Sequence, residues 1–72
     1  MNPAEKIAEN IKAVMNKKNI CNRELADLTK TTEVTMSRWL SGHRMITASG
    51  LYRVAKVLGV TMENLMEGSE DE

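Results

Sequence analysis

Apolar residues recur along this chain at the spacing of helices, three and four apart, never in the alternation of strands. Ile7, Ala8, Ile11, Val14 and Met15 form one stripe. Met36, Trp39 and Leu40 form a second, at i, i+3 and i+4. Leu51, Val54, Ala55 and Leu58 form a third, and Met62, Leu65 and Met66 a short last one. The polar residues between them read as starts and stops. Asn2-Pro3-Ala4-Glu5 offers a cap, a proline at the first helical position, and a glutamate three residues after the cap. Asn16 to Asn19 ends that helix, and Ile20 reads as a buried plug before the next one. A second helix opens near Cys21-Asn22. A thiol caps poorly, so Asn22 is expected to take over the cap and shorten that helix by a residue. Thr32 is placed to cap a third helix. A fourth runs from about Thr47 to Leu58 with Gly59 as its stop, and Thr61 caps the last. The pattern predicts an all-α fold of five compact helices, with no internal repeat.

The stretch from Asn22 to Gly42 carries the most information. It reads as a short helix with Leu25 and Ala26 mid-way, where a small residue permits close crossing, a turn at Lys30-Thr31, and another short helix. Met36, Trp39 and Leu40 pin that last helix from behind. Its other face carries Glu33, Val34, Ser37, Arg38 and Ser41, which have nothing to bury. A short helix held from one side and mixed-polar on the other suits reading base edges in a DNA major groove.

At 72 residues the chain is one domain at most, with a thin core. One cysteine excludes an internal disulfide, and no cysteine–histidine cluster suggests zinc, so the expected metal and cofactor content is none. No apolar run approaches the ~20 residues of a membrane span, and no leader pattern opens the chain. A reduced, cytoplasmic setting fits the lone Cys21. Net charge is zero, which by itself argues against nucleic acid. The distribution changes that picture: residues 1–66 hold ten bases and six acids, while 67–72 hold Glu67, Glu70, Asp71 and Glu72 and no base. The expected organisation is a modestly basic domain over 1–66 and a disordered acidic tail over 67–72, with modest, salt-sensitive affinity for DNA.

Each candidate residue has a plain alternative. Trp39 could stack on a base as in single-strand binders, but it lies on the apolar stripe with Met36 and reads as core. Tyr52 reads as half-buried on the fourth helix. Arg38 is the foremost base reader, since its guanidinium fork can meet guanine O6 and N7 together; the alternative is a solvated surface arginine. Glu33 can accept from cytosine N4 or simply complement a helix dipole. Val34 can meet a thymine methyl, and Ser37 is small enough to let the helix sit deep or to bond a base. Asn22 and Arg23 open the second helix, whose N–H groups suit a phosphate. Thr32, Ser41, Gly42, His43 and Arg44 flank the third helix and are expected to add phosphate contacts through backbone and cationic groups. His43 has no acid or nucleophile nearby in sequence, so no catalytic residue is expected and the chain does not read as an enzyme.

Taken together, Leu25-Ala26, Lys30-Thr31 and Ser37-Arg38-Trp39-Leu40-Ser41-Gly42, followed by Ala55-Lys56-Val57-Leu58-Gly59-Val60, resemble the lambda-repressor-like (Xre/Cro) helix-turn-helix family over roughly residues 4–66. The resemblance implies a five-helix DNA-binding domain with the helix-turn-helix at the second and third helices. It also implies that the residue at Asn22 holds a phosphate. Four departures stand out. Family members often have Ser or Thr where Cys21 stands. Lys30 replaces a frequent turn glycine, at a cost of about 1 kcal/mol if the position needs positive φ. Many members pair an arginine late in the first helix with a glutamate just after the tryptophan position; here Met15 and Leu40 stand there, an exchange of both halves of an ion pair for apolar side chains. The Arg44–Thr47 loop is also less basic than usual in the family.

The expected function is sequence-specific binding of a double-stranded DNA operator by a small stand-alone transcriptional regulator, a repressor of phage-repressor or Cro kind acting by occupancy. It would work as a homodimer through Met62, Leu65 and Met66, without membrane or small-molecule ligand. The zero net charge keeps open a second reading, a protein-interaction module of the same fold such as an antitoxin or anti-repressor.

Overall fold

The first helix starts as its sequence predicts. Asn2 Oδ1 accepts the Glu5 backbone N–H at 2.8 Å and Glu5 Oε1 accepts the Asn2 N–H at 3.2 Å, a reciprocal capping box ahead of Pro3. A computed structural model describes residues 2–67, in which α1 (Pro3–Lys18), α2 (Asn22–Leu28), α3 (Glu33–Leu40), α4 (Ala48–Leu58) and α5 (Met62–Glu67) follow one another. Helix α5 takes in Glu67, the first residue of the expected tail; residues 68–72 lie outside the described part.

Threonines open the later helices. Thr32 Oγ1 accepts from the Thr35 N–H at 3.1 Å, Thr47 Oγ1 from Gly50 at 3.0 Å, and Thr61 Oγ1 from Asn64 at 3.0 Å. Helix α2 differs from expectation. Cys21 keeps the cap position without any side-chain hydrogen bond, and Asn22 is already helical, so the helix is not shortened. Packing of Leu25 and Ala26 in the core holds its first turn where the cap is weak.

Helices α1, α2 and α4 end in the same way. One residue takes the left-handed conformation: Asn19 at φ 61°, Lys30 at φ 58° and Gly59 at φ 73°. The next N–H reaches back five residues: Ile20 to Met15 O at 2.9 Å, Thr31 to Ala26 O at 2.8 Å, Val60 to Ala55 O at 3.0 Å. These are Schellman turns, which satisfy carbonyls that a helix end would leave bare.

The core takes one stripe from each helix. Ile11, Leu25, Met36, Val54, Leu58 and Leu65 are fully enclosed, and Ile46 joins from the loop before α4. Val14 and Ile20 are partly buried against it. Trp39 is core, as the stripe requires. Its ring lies over Gly50, where a Cβ would come within 2.6 Å of the indole, so glycine there makes the room for the ring itself. Tyr52 is 52% exposed, about half-buried as its position on α4 implies. It falls beside the α4 stripe rather than on it, and Lys56 one turn later holds its ammonium 5.3 Å from the ring centroid. Helix α5 closes over α1, where Asn10 Nδ2 donates to the Leu65 carbonyl at 2.8 Å. Leu65 is therefore interior, and its place in the expected dimer surface is withdrawn: a side chain 1% exposed has already been buried by its own chain.

Candidate nucleic-acid interface

The presenting element is α3. Its inner residues Met36, Trp39 and Leu40 are buried, while Glu33, Val34, Ser37, Arg38 and Ser41 all lie exposed. The alternation follows from the helical period: five outward positions share one face because the three apolar ones claim the other. Val34 is 61% exposed, a large apolar side chain left in solvent on the face that would meet a groove. No hydrogen bond or ion pair engages the Arg38 guanidinium among the described residues, so its donors are available.

The turn before α3 is built from buried and strained parts. Thr29 is 1% exposed, and its hydroxyl donates to Leu25 O at 2.8 Å. Thr31 Oγ1 donates to Thr29 O at 3.3 Å, and Arg53 Nη1 of α4 donates to the same carbonyl at 3.1 Å. Lys30 sits exposed at positive φ, the strained choice its sequence position suggests. Neither the Thr29 network nor the role of Arg53 was visible in the sequence. A threonine in a turn reads as polar filler, and only the fold reveals that it is enclosed.

The expected phosphate contacts divide. Arg23, His43 and Arg44 have exposed side chains. Asn22 is partly buried, with Oδ1 enclosed and without a hydrogen-bond partner among the described residues, which leaves its amide nitrogen as the group able to donate to a phosphate. The hydroxyls of Thr32 and Ser41 are engaged within the chain. Thr32 Oγ1 donates to Thr35 Oγ1 at 3.0 Å, and Ser41 Oγ donates to Arg38 O at 3.1 Å while accepting from the His43 N–H at 3.4 Å. The backbone donors expected after α3 are engaged too, with the Gly42 N–H on Trp39 O at 3.2 Å and the Arg44 N–H on Arg38 O at 3.4 Å. Gly42 has no other donor to offer. Its place is structural: φ is +80°, and a Cβ there would come 2.9 Å from Glu5 Cγ of α1. Among the described residues no group of three His, Cys, Asp or Glu side chains could hold a metal ion, and no helix is long and apolar enough to cross a membrane.

Several solved structures share this fold. The clp gene regulator ClgR from Corynebacterium glutamicum superposes with a TM-score of 0.86 at 18% identity, over 90% of this chain and 69% of that one. A cobalt(II) form of HppE in complex with Tris buffer gives 0.82 at 25% identity, over 100% of this chain and 42% of that one. Apo-HppE gives 0.81 at 26%, over 99% and 41%. The chain thus spans about two fifths of the HppE chains it resembles. No curated protein matches at a significant level. Residues 10–71, including the whole helix-turn-helix, match the family profile of the Cro/C1-type HTH DNA-binding domain, and the chain belongs to that family.

Proposed function

We propose that this chain binds a double-stranded DNA operator in a sequence-specific way and regulates transcription as a repressor of phage-repressor or Cro kind. One observation carries the reading: α3 is pinned by Met36, Trp39 and Leu40 and leaves Glu33, Val34, Ser37 and Arg38 exposed on one face. In this role Arg38 reads guanine, Glu33 accepts from cytosine, Val34 meets a thymine methyl and Ser37 permits close approach. Asn22, Arg23, His43 and Arg44 hold phosphates on either side, where Thr32 and Ser41 contribute only if their hydroxyls turn away from their present partners. Two copies would place their α3 helices in successive major grooves, about 34 Å apart, and block a competitor by occupancy. The joining surface is Met66, half exposed on α5, with the edge of Met62. Likeness to ClgR, whose name makes it a gene regulator, is consistent with this role.

Selection of bound sequences from a random duplex library tests the reading. It should return a half-site repeated with two-fold symmetry. Failure to enrich any sequence would refute DNA reading and favour a protein-binding module of the same fold.

A further inference from the structure

Arg53 lies outside the helix-turn-helix, yet its side chain crosses to it. Nη1 donates at 3.1 Å to the carbonyl of Thr29, the residue that closes α2. That carbonyl also takes the Thr31 hydroxyl at 3.3 Å, while the Thr29 hydroxyl is tied inward to Leu25 O at 2.8 Å. The peptide after Thr29 leads into Lys30 at φ 58°, and two residues later Thr32 caps α3. The pose of α3 relative to α2 therefore passes through only three residues, Lys30, Thr31 and Thr32, the first of them strained. Arg53 stands on α4, which Leu51, Val54, Ala55 and Leu58 fix in the core. A planar guanidinium on a fixed helix, meeting the one carbonyl at the pivot, sets where the turn sits.

We infer that Arg53 is a positioning residue for DNA reading: through the Thr29 carbonyl it holds the turn between α2 and α3, and so the aim of α3 into the groove. This rests on the DNA-reading function proposed above. Precise placement matters most for base edges and least for phosphates, whose attraction acts at longer range. Loss of the strut should therefore lower preference for the right site more than grip on any duplex.

The test compares wild type, Arg53→Met and Arg53→Lys on the selected site and on a random duplex, across salt, together with amide resonances of the free proteins. Arg53→Met should keep its helical content, shift the amides of Thr29 to Thr32, and cut the ratio of specific to random affinity roughly 3- to 10-fold, the size of one net hydrogen bond. Arg53→Lys, with charge and donor retained, should restore part of that ratio. If Arg53→Met does not fold, Arg53→Gln, polar but too short to span the gap, replaces it. Equal loss on both duplexes, with a salt slope smaller by about one, would make Arg53 a phosphate contact and overturn the positioning role. An unchanged ratio would overturn it as well. A wild-type chain with no site preference would instead overturn the DNA reading itself, and this role with it.

Discussion

Lys30 and Gly59 occupy the same slot of the same turn, and exchanging their chemistry should move stability in opposite directions. Both are left-handed, at φ 58° and 73°, and both are followed by an N–H that reaches back to the helix, at 2.8 Å for Thr31 and 3.0 Å for Val60. A Cβ in this region meets its own backbone at a cost of about 1–2 kcal/mol, which glycine avoids. Glycine gives back roughly 0.5–1 kcal/mol because its unfolded chain is freer. Lys30 is exposed and its side chain makes no hydrogen bond or ion pair among the described residues, so little else is lost on removing it. Lys30→Gly should therefore stabilise by about 0.5–1 kcal/mol, which in a domain of this size raises Tm by roughly 2–8 °C. At Gly59 an added Cβ would meet nothing within 4 Å, so Gly59→Ala isolates the conformational penalty and should destabilise by about 1 kcal/mol. Urea melting followed by circular dichroism measures both, with the m-value expected to stay constant. A Lys30→Gly protein no more stable than wild type, at unchanged m, would refute the reasoning. So would a Gly59→Ala protein that melts at the wild-type midpoint.

Three further outcomes follow from the site and the core. Arg38→Ala should weaken the selected DNA site by ~1–3 kcal/mol and relax preference at one position, measured on single-base variants; an unchanged profile removes Arg38 from base reading. Met15 and Leu40 are both buried in the core cluster, so Met15→Arg alone should destabilise by about 3–5 kcal/mol, and adding Leu40→Glu should recover part of that loss. A double variant no more stable than Met15→Arg would show that the two positions are not partners. Met66→Glu should keep the helical content, abolish a dimer in sedimentation, and weaken binding to a two-half-site operator far more than to one half-site; a variant that still sediments as a dimer excludes that surface.

Helix positions and caps were legible because they are local. The Asn2–Glu5 box, the Thr32 and Thr61 caps and the Gly59 stop each depend on residues within four of one another. The outward face of α3 was legible too, because periodicity alone assigns its two sides. What escaped lies between distant segments. Asn10 on Leu65 O, Arg53 on Thr29 O and the Trp39 ring over Gly50 join elements whose approach no spacing rule encodes. The backbone donors of Gly42 and Arg44 were expected to face phosphate because the turn after α3 could not be drawn from sequence, and in it they close on the chain itself.

The closure of α5 over α1 bears on the order in which the molecule can be made. During synthesis the stripe of Ile7, Ile11 and Met15 emerges early, but a principal cover for α1 includes Leu65, fifty residues after Met15. At ribosomal rates of about 5–20 residues per second, that is a wait of roughly 3–10 s. Helices α2 and α3, joined by a tight turn and packed on each other, can pair without it. The part of α1 that α5 covers thus stays bare some seconds longer than the part that α3 covers, and α5 is the piece whose arrival closes it.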